Sequence, residues 1–449
     1  MELTQIRVVR LFGMFDHRVD LKSSEHITIM TAPNGFGKTV ILRLTSAFFD
    51  GRFFEFFRTS FKEFGLTFDN GSSILIQKEG VDRQTPLFEE NEPTQEEEEI
   101  RTNVEVILIS PKSEPQSWKV SARPRLASAL IDRYVPGLER VGPRAWLDVR
   151  TGRRMSFEEV SLTYADFLPE SVYREPEWLA TFRSALSCRF IETQRLLRVA
   201  QPNAPRRTRD HPDDVLRPVV SELAAELAGA INLKLREYGA LAQSRDSTFP
   251  QRLISQVGKI NLSEPELRRR LADLDRERAK FMEAGLLDRD ETLKLTDDAF
   301  SQTILDVLPI YIDDTEQKLR IFNETYQKIN TLKQIVNDRF QYKQIYIDNQ
   351  RGLGVKLFDG SELSLDNLSS GEQHELVLMY ELLFKVAPRS LILIDEPELS
   401  LHVAWQKRFI ADLSSIIELS GFSAVIATHS PQIIDSRWDL TVNLSGPVT

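Results

Sequence analysis

A glycine-rich loop near the start of the chain constrains its fold more than any other feature. Residues 26–30 are rich in β-branched side chains, residues 32–39 read Ala32-Pro33-Asn34-Gly35-Phe36-Gly37-Lys38-Thr39, and residues 40–49 are apolar. That order predicts a strand, a tight loop and a helix. A phosphate-binding loop needs small residues so that backbone N–H groups can converge on phosphate oxygens. It also needs a lysine to offset their charge, a hydroxyl for Mg2+, and a helix N-terminus beneath. All are present, with one substitution: Ala32 stands where the G-x-x-x-x-G-K-[ST] pattern opens on glycine.

Far along the chain comes Leu391-Ile392-Leu393-Ile394-Asp395-Glu396. Four continuous apolar residues fit a strand buried on both faces of a parallel sheet. The carboxylates fall at its C-terminal end, where open α/β sheets bind ligands. There Asp395 can enter a Mg2+ shell, and Glu396 can polarise a water for attack on a γ-phosphate.

Two more signals complete a set. Leu368-Ser369-Ser370-Gly371-Glu372-Gln373 precedes a helical stretch, 374–384, and Ala427-Thr428-His429-Ser430 closes an apolar run at 423–427. With these motifs in this order, the chain resembles the ATP-binding-cassette superfamily, in the branch with the SMC proteins, the RecF-type repair ATPases and the OLD-type defence ATPases. The resemblance implies an α/β head that takes ATP as its nucleotide and Mg2+ as its metal. It places Asn34, Gly35, Phe36, Gly37, Lys38 and Thr39 on the phosphates, with Thr39 and Asp395 on the metal. Glu396 becomes the catalytic carboxylate and His429 the switch histidine. Gln194, in Phe190-Ile191-Glu192-Thr193-Gln194-Arg195, is placed like the Q-loop glutamine that serves both metal and attacking water. Ser369, Ser370, Gly371 and Glu372 resemble the signature that completes the nucleotide site of a second head, and 397–402 look like the D-loop region.

The spacing then predicts the domain plan. Lys38 lies near one end of the chain, while Ser369 and Asp395 lie close together near the other. An ABC ATPase head is therefore expected in two halves, 1–200 and 348–449, with 201–347 inserted as a short helical hairpin of arms. Leu216, Val220, Leu223, Leu227, Ile231 and Leu235 recur at helical spacing, as do Leu267, Leu271, Leu274 and Phe281. A helix of about thirty residues extends only ~45 Å, which makes short arms rather than a long coiled coil. With one copy of each motif, the resemblance implies a homo-oligomer, at least a head-to-head dimer closed by ATP.

Composition sets the limits. The 449 residues suit two or three units at roughly 150 residues each. A formal net charge of −10 argues against a surface that coats nucleic acid, while leaving a local basic groove open. Arg195, Arg198, Arg206, Arg207 and Arg209 near the expected Q-loop, and Arg268, Arg269 and Arg270 in an arm, are the candidates for one. The simpler reading of both is a solvated face. The single cysteine, Cys188, excludes a disulfide scaffold, suits a reducing cytosol, and is expected to pack as a small apolar residue. The start lacks the apolar core of a signal peptide and no run reaches about 18 apolar residues, so a cytoplasmic protein without a membrane partner is expected. The phenylalanines Phe48, Phe49, Phe53, Phe54, Phe56, Phe57, Phe61 and Phe64 are expected in the core. Asp69-Asn70-Gly71 signals a hairpin, and the glutamate run within 89–99 a solvated loop.

Residues 364–376 look most like the stand-alone ATPases of bacterial anti-phage systems, among them that of PARIS and the PtuA-type ATPase of Septu and retrons. In PARIS-like systems an ATPase homo-oligomer holds a Toprim nuclease until a phage protein triggers its release. The resemblance thus implies a slow ATPase acting as sensor and scaffold, with a separate effector nuclease and a phage-encoded trigger as partners. Neither a Toprim Glu…Asp-x-Asp arrangement nor an HNH-like cluster is visible, so destructive chemistry is expected from another polypeptide. The alternatives are a RecF-like or SMC-like DNA-repair ATPase that binds duplex, the ATPase of a Septu or retron complex with an HNH nuclease, and an ATP-bound structural oligomer. Ala32 hints at the last, because its Cβ sits where the loop bends.

Overall fold

The strand Leu391–Asp395 is buried at every residue, and its surroundings explain why. It lies inside a five-stranded sheet in the order Cys188–Ile191, Leu391–Asp395, Ser423–Thr428, Ile27–Thr31, Thr441–Asn443. Every pairing in this sheet is parallel. The register sets Ile394 beside Ile426, and Ile426 beside Ile29. Strands covered on both faces carry continuous apolar runs, which is the pattern read at 391–394 and 423–427. This computed structural model describes residues 1–78, 103–111, 113–121, 131–132, 135, 137–142, 145–149, 152–156, 160, 175–192, 197–199, 216–256, 262–287, 300–444 and 446. The acidic run at 89–99, Gln194, Arg195, Arg206, Arg207 and Arg209 lie outside the described residues.

A second sheet is antiparallel and six-stranded, ordered Phe15–Asp20, Leu3–Leu11, Glu63–Phe68, Ser73–Lys78, Asn103–Ser110, Ser113–Ser121. Glu63–Phe68 alternates half-buried and buried positions, as a strand with one face on the core should. Its turn into Ser73–Lys78 is the hairpin expected at Asp69-Asn70-Gly71. The helix Lys38–Asp50 supplies Ile41, Leu42, Leu44, Ala47 and Phe48 to a core shared with Leu393 and Val425 of the parallel sheet and with Ile6, Leu66 and Ile76 of the antiparallel one. The helix is thus packed between two sheets, and this is why its apolar residues do not keep to one stripe. The phenylalanine cluster sits in the same core. Phe48, Phe53, Phe56, Phe61 and Phe64 are buried, and Phe57 packs against them half-buried. Cys188 joins this packing, and burial pushes its thiol well up. Together these elements make the α/β head with a split N- and C-terminal contribution that the sequence predicted.

The chain divides into two compact units. One holds residues 1–193, 201–207 and 386–449, and the other holds 194–200 and 208–385. The second unit contains the helices Val219–Gln256, Glu264–Glu283, Gln302–Leu319 and Asn323–Asn337. It also contains the antiparallel hairpin Lys343–Asp348 with Gly352–Leu357, and the helix Ser370–Phe384. The boundary therefore falls after Lys385 rather than at the expected 347/348. Packing explains the difference: Gly352–Leu357 lies on Val219–Gln256, and Ser370–Phe384 lies on both Asn323–Asn337 and Val219–Gln256. Leu216, expected to be helical, is in the short strand Leu216–Pro218 paired with Leu197–Val199. Pro218 has no N–H to give a helix interior, and the helix opens at the next residue. Among the described residues no helix is long and apolar enough to cross a membrane.

Candidate functional site

The order of the parallel sheet brings distant residues to one edge. Ser423–Thr428 lies between the strand feeding the glycine-rich loop and the strand ending in Asp395. At their C-terminal ends Thr39 and Asp395, 356 residues apart in sequence, meet: the Thr39 hydroxyl donates to Asp395 Oδ1 at 3.0 Å. Lys38 is buried, and its Nζ donates to the carbonyls of Ala32 at 2.8 Å and Pro33 at 3.3 Å. Gly37 caps the helix at φ +86, a left-handed conformation that a Cβ disfavours. A Cβ there would also stand 2.4 Å from Leu11 Cδ2. Gly35 has nearly the same φ, +87, but faces open space. Asn34 is exposed, and Phe36 is half-buried with its ring 5.1 Å from that of Phe15. Ala32 is not among the residues of positive φ, so its Cβ is accommodated in an ordinary conformation.

The acidic side of the site is desolvated. Burial pushes Asp395 above its ordinary carboxylate range; the Thr39 hydroxyl and the Arg43 charge oppose the shift, and the charges of Glu396 and Glu398 add to it. Glu396 takes a left-handed conformation, φ 40 and ψ 60, with its N–H donated to Ala427 O at 2.8 Å. A non-glycine residue held so is strained, a recurrent feature of functional sites. His429 follows the central strand. Its Nδ1 lies 3.7 Å from Glu396 Oε1 and 3.1 Å from Glu398 Oε1. Glu398 is buried, and its Oε1 accepts from the Thr428 hydroxyl at 2.6 Å and from the His429 N–H at 2.9 Å. Gln406 braces the same turn, donating to the carbonyls of Glu398 and Leu401.

A hydroxyl and a carboxylate at 3.0 Å form a hard-oxygen donor pair suited to Mg2+, which takes one or two protein ligands and completes its shell with phosphate and water. A desolvated carboxylate with like charges beside it is also where a cation relieves repulsion. The residues present therefore fit the metal and the triphosphate that the motifs imply.

Residues 368–373 belong to the second unit. Ser369 caps the helix Ser370–Phe384 in a reciprocal capping box with Glu372. The Ser369 hydroxyl and N–H both donate to Glu372 Oε2 at 2.9 Å. Lys343 Nζ reaches the two Glu372 oxygens at 2.7 and 2.8 Å. Burial would raise Glu372, but Lys343 and the Ser369 donors together bring it below its ordinary value. Gln373 donates to the carbonyls of Asp366 and Leu368, fixing the turn that holds Ser370 and Gly371.

Three contributors were not named as site residues from sequence. Glu398 and Lys343 act through contacts that only the folded chain creates. His17 is the third: its Nε2–H donates to Phe36 O in the loop at 2.8 Å, and its ring stacks on Phe15. Its one sequence signal was a histidine at an inward position of an alternating strand.

Residues 355–435 match the family model described as "AAA domain, putative AbiEii toxin, Type IV TA system". Over 92 residues the chain is 36% identical to Protein ea59 of Escherichia phage lambda, which is 20% of this chain and 17% of that protein. Among solved structures it is similar to the Smc head domain with an extended coiled coil bound to the C-terminal domain of ScpA from Pyrococcus furiosus. That match is 12% identical with a TM-score of 0.35, over 99% of this chain and 94% of that one. The SMC head domain from Thermotoga maritima is matched at 9% identity and a TM-score of 0.35, over 100% and 98% of the two chains. The family model covers Ser369, Asp395, Glu396 and His429, and with the geometry above it supports an ATPase of the AAA type.

Proposed function

We propose that this chain binds and slowly hydrolyses ATP as an ABC-type ATPase, and that it serves as sensor and scaffold in anti-phage defence, holding a separate toxic nuclease and releasing it. The observation that carries the catalytic part is the meeting of Thr39 with Asp395 beside Lys38, Glu396 and His429 on one sheet edge. In this reading the Lys38 ammonium exchanges the carbonyls of Ala32 and Pro33 for phosphate oxygens, and the loop N–H groups complete the cradle. Thr39 and Asp395 would hold Mg2+, which would offset the charge on the phosphates. Glu396 orients and polarises the attacking water, and His429 contacts the γ-phosphate from the neighbouring strand. Ser369 and the helix start behind it serve the nucleotide of a second copy, so ATP closes a head-to-head homodimer.

The match to a family described as a putative AbiEii toxin of a type IV toxin–antitoxin system supports a defence setting, and the resemblance of 364–376 to anti-phage ATPases supports the scaffold role. The DNA-repair alternative relied partly on the arm arginines. Arg268 pairs with Glu264, Arg269 with Glu266, and Arg270 with Asp313 and Glu316, so this basic tract is engaged within the arms. The test is phosphate release by wild type, Lys38→Ala and Glu396→Gln, with capture of the neighbouring gene product on co-expression. Turnover lost in both variants and a nuclease recovered with the wild type are expected. Wild-type turnover in Glu396→Gln would refute the catalytic assignment, and recovery of duplex DNA without a protein partner would refute the scaffold.

A further inference from the structure

We infer that Glu398 is a positioning residue for His429 and that it acts through its negative charge, an inference that rests on the ATPase reading of this site. Oε1 gathers three nitrogen and oxygen atoms of the His429 turn: the Thr428 hydroxyl at 2.6 Å, the His429 N–H at 2.9 Å, and Nδ1 of the ring at 3.1 Å. Its side chain is 5% exposed, and among the described residues Oε2 is buried with no hydrogen-bond partner.

That arrangement is costly for an anchor. A glutamine could accept the same two hydrogen bonds without burying a charge, and a buried oxygen without a donor forfeits its hydration. What the carboxylate adds is an anionic neighbour for the imidazole. Among the described residues, the carboxylates within 4 Å of the His429 ring are Glu398 and, farther off, Glu396 at 3.7 Å. A carboxylate beside Nδ1 favours the tautomer with its proton on Nδ1 and leaves Nε2 as the nitrogen available to a ligand. With Glu398 in that role, Glu396 is left free to orient water. The backbone of Glu398 is held in turn, because its carbonyl accepts from Gln406 at 3.2 Å.

The test compares wild type with Glu398→Gln and Glu398→Asp by steady-state ATP hydrolysis. It adds nitrogen-detected imidazole NMR of histidine-labelled, magnesium-free protein, in which six histidines leave the His429 signal assignable by its loss in His429→Gln. Glu398→Gln should lower kcat by roughly tenfold or more while KM for ATP stays within about twofold. Glu398→Asp should restore part of kcat, and His429 should carry its proton on Nδ1 in wild type and less fully in Glu398→Gln, whose amide oxygen is the weaker acceptor. A wild-type kcat in Glu398→Gln would overturn the inference, as would a His429 signal that does not change. If the glutamine variant does not fold, the wild-type spectrum decides, since a proton on Nε2 there excludes the role. A wild type without turnover would refute the ATPase reading alone, because the histidine spectra still report on Glu398.

Discussion

Gly35 and Gly37 of the glycine-rich loop share a backbone conformation and differ in their surroundings, which lets backbone strain be separated from packing. Gly35 and Gly37 sit at φ +87 and +86, but a Cβ on Gly35 meets nothing within 4 Å, while one on Gly37 meets Leu11 Cδ2 at 2.4 Å. Placing alanine in the left-handed region costs about 1–2 kcal/mol, and the stiffer unfolded chain returns roughly 0.4–1 kcal/mol. Gly35→Ala should therefore destabilise by about 1 kcal/mol. At Gly37 the same sum applies, and Leu11 must also move. Leu11 is fully buried, so overpacking adds about 1–3 kcal/mol. Urea unfolding of each variant without nucleotide, followed through the unit that holds the loop, measures both. Gly37→Ala should lose about 2–4 kcal/mol in all, and shortening Leu11 in the same chain should recover about 1–2 kcal/mol of coupling. Equal losses at the two glycines, or no coupling to Leu11, would refute this account of the loop.

Three other outcomes follow from the structure. Burial lowers the pKa of His17, so the folded state binds fewer protons than the unfolded chain. The stability it confers is present above the ordinary histidine value of 6.5 and is lost as pH falls through the folded value; His17→Gln should flatten the urea midpoint between pH 5 and 7. Lys78 is lowered to about 8 by burial, so stability should rise as pH climbs from there toward the unfolded value of 10.5. The gain should be on the order of 1–2 kcal/mol after solvent screening, and Lys78→Met should abolish the rise. Ser369→Ala removes the cap of the signature helix and should cost about 1 kcal/mol, read as a lower thermal midpoint of the second unit.

The parts of the site legible in sequence are those written in short contiguous patterns. The run from Ala32 to Thr39 carries its own chemistry, and Leu391–Ile394 carries its burial in four successive apolar residues, so both are legible without any tertiary contact. The phenylalanines of 48–64 point to the core through their composition alone. Glu398 was not singled out, because a glutamate after a proline says nothing of the Thr428 hydroxyl that it receives from another strand. His17 was missed for the same reason, its partner being the carbonyl of Phe36. The placement of 353–385 with the arms was equally hidden: strand and helix signals there do not say which neighbour will cover them. Tertiary pairing, not propensity, decided each of these.

The position of Ile27–Thr31 has a consequence for how the protein is made. This strand is flanked on one side by Ser423–Thr428 and on the other by Thr441–Asn443. Both of its partners are translated roughly 400 residues later. At ribosomal rates of about 5–20 residues per second, an early apolar strand waits some 20–80 seconds for its neighbours. Throughout that interval its hydrogen-bonding edges are open to other nascent chains. The glycine-rich loop it feeds cannot reach its final surroundings until both partner strands have been made.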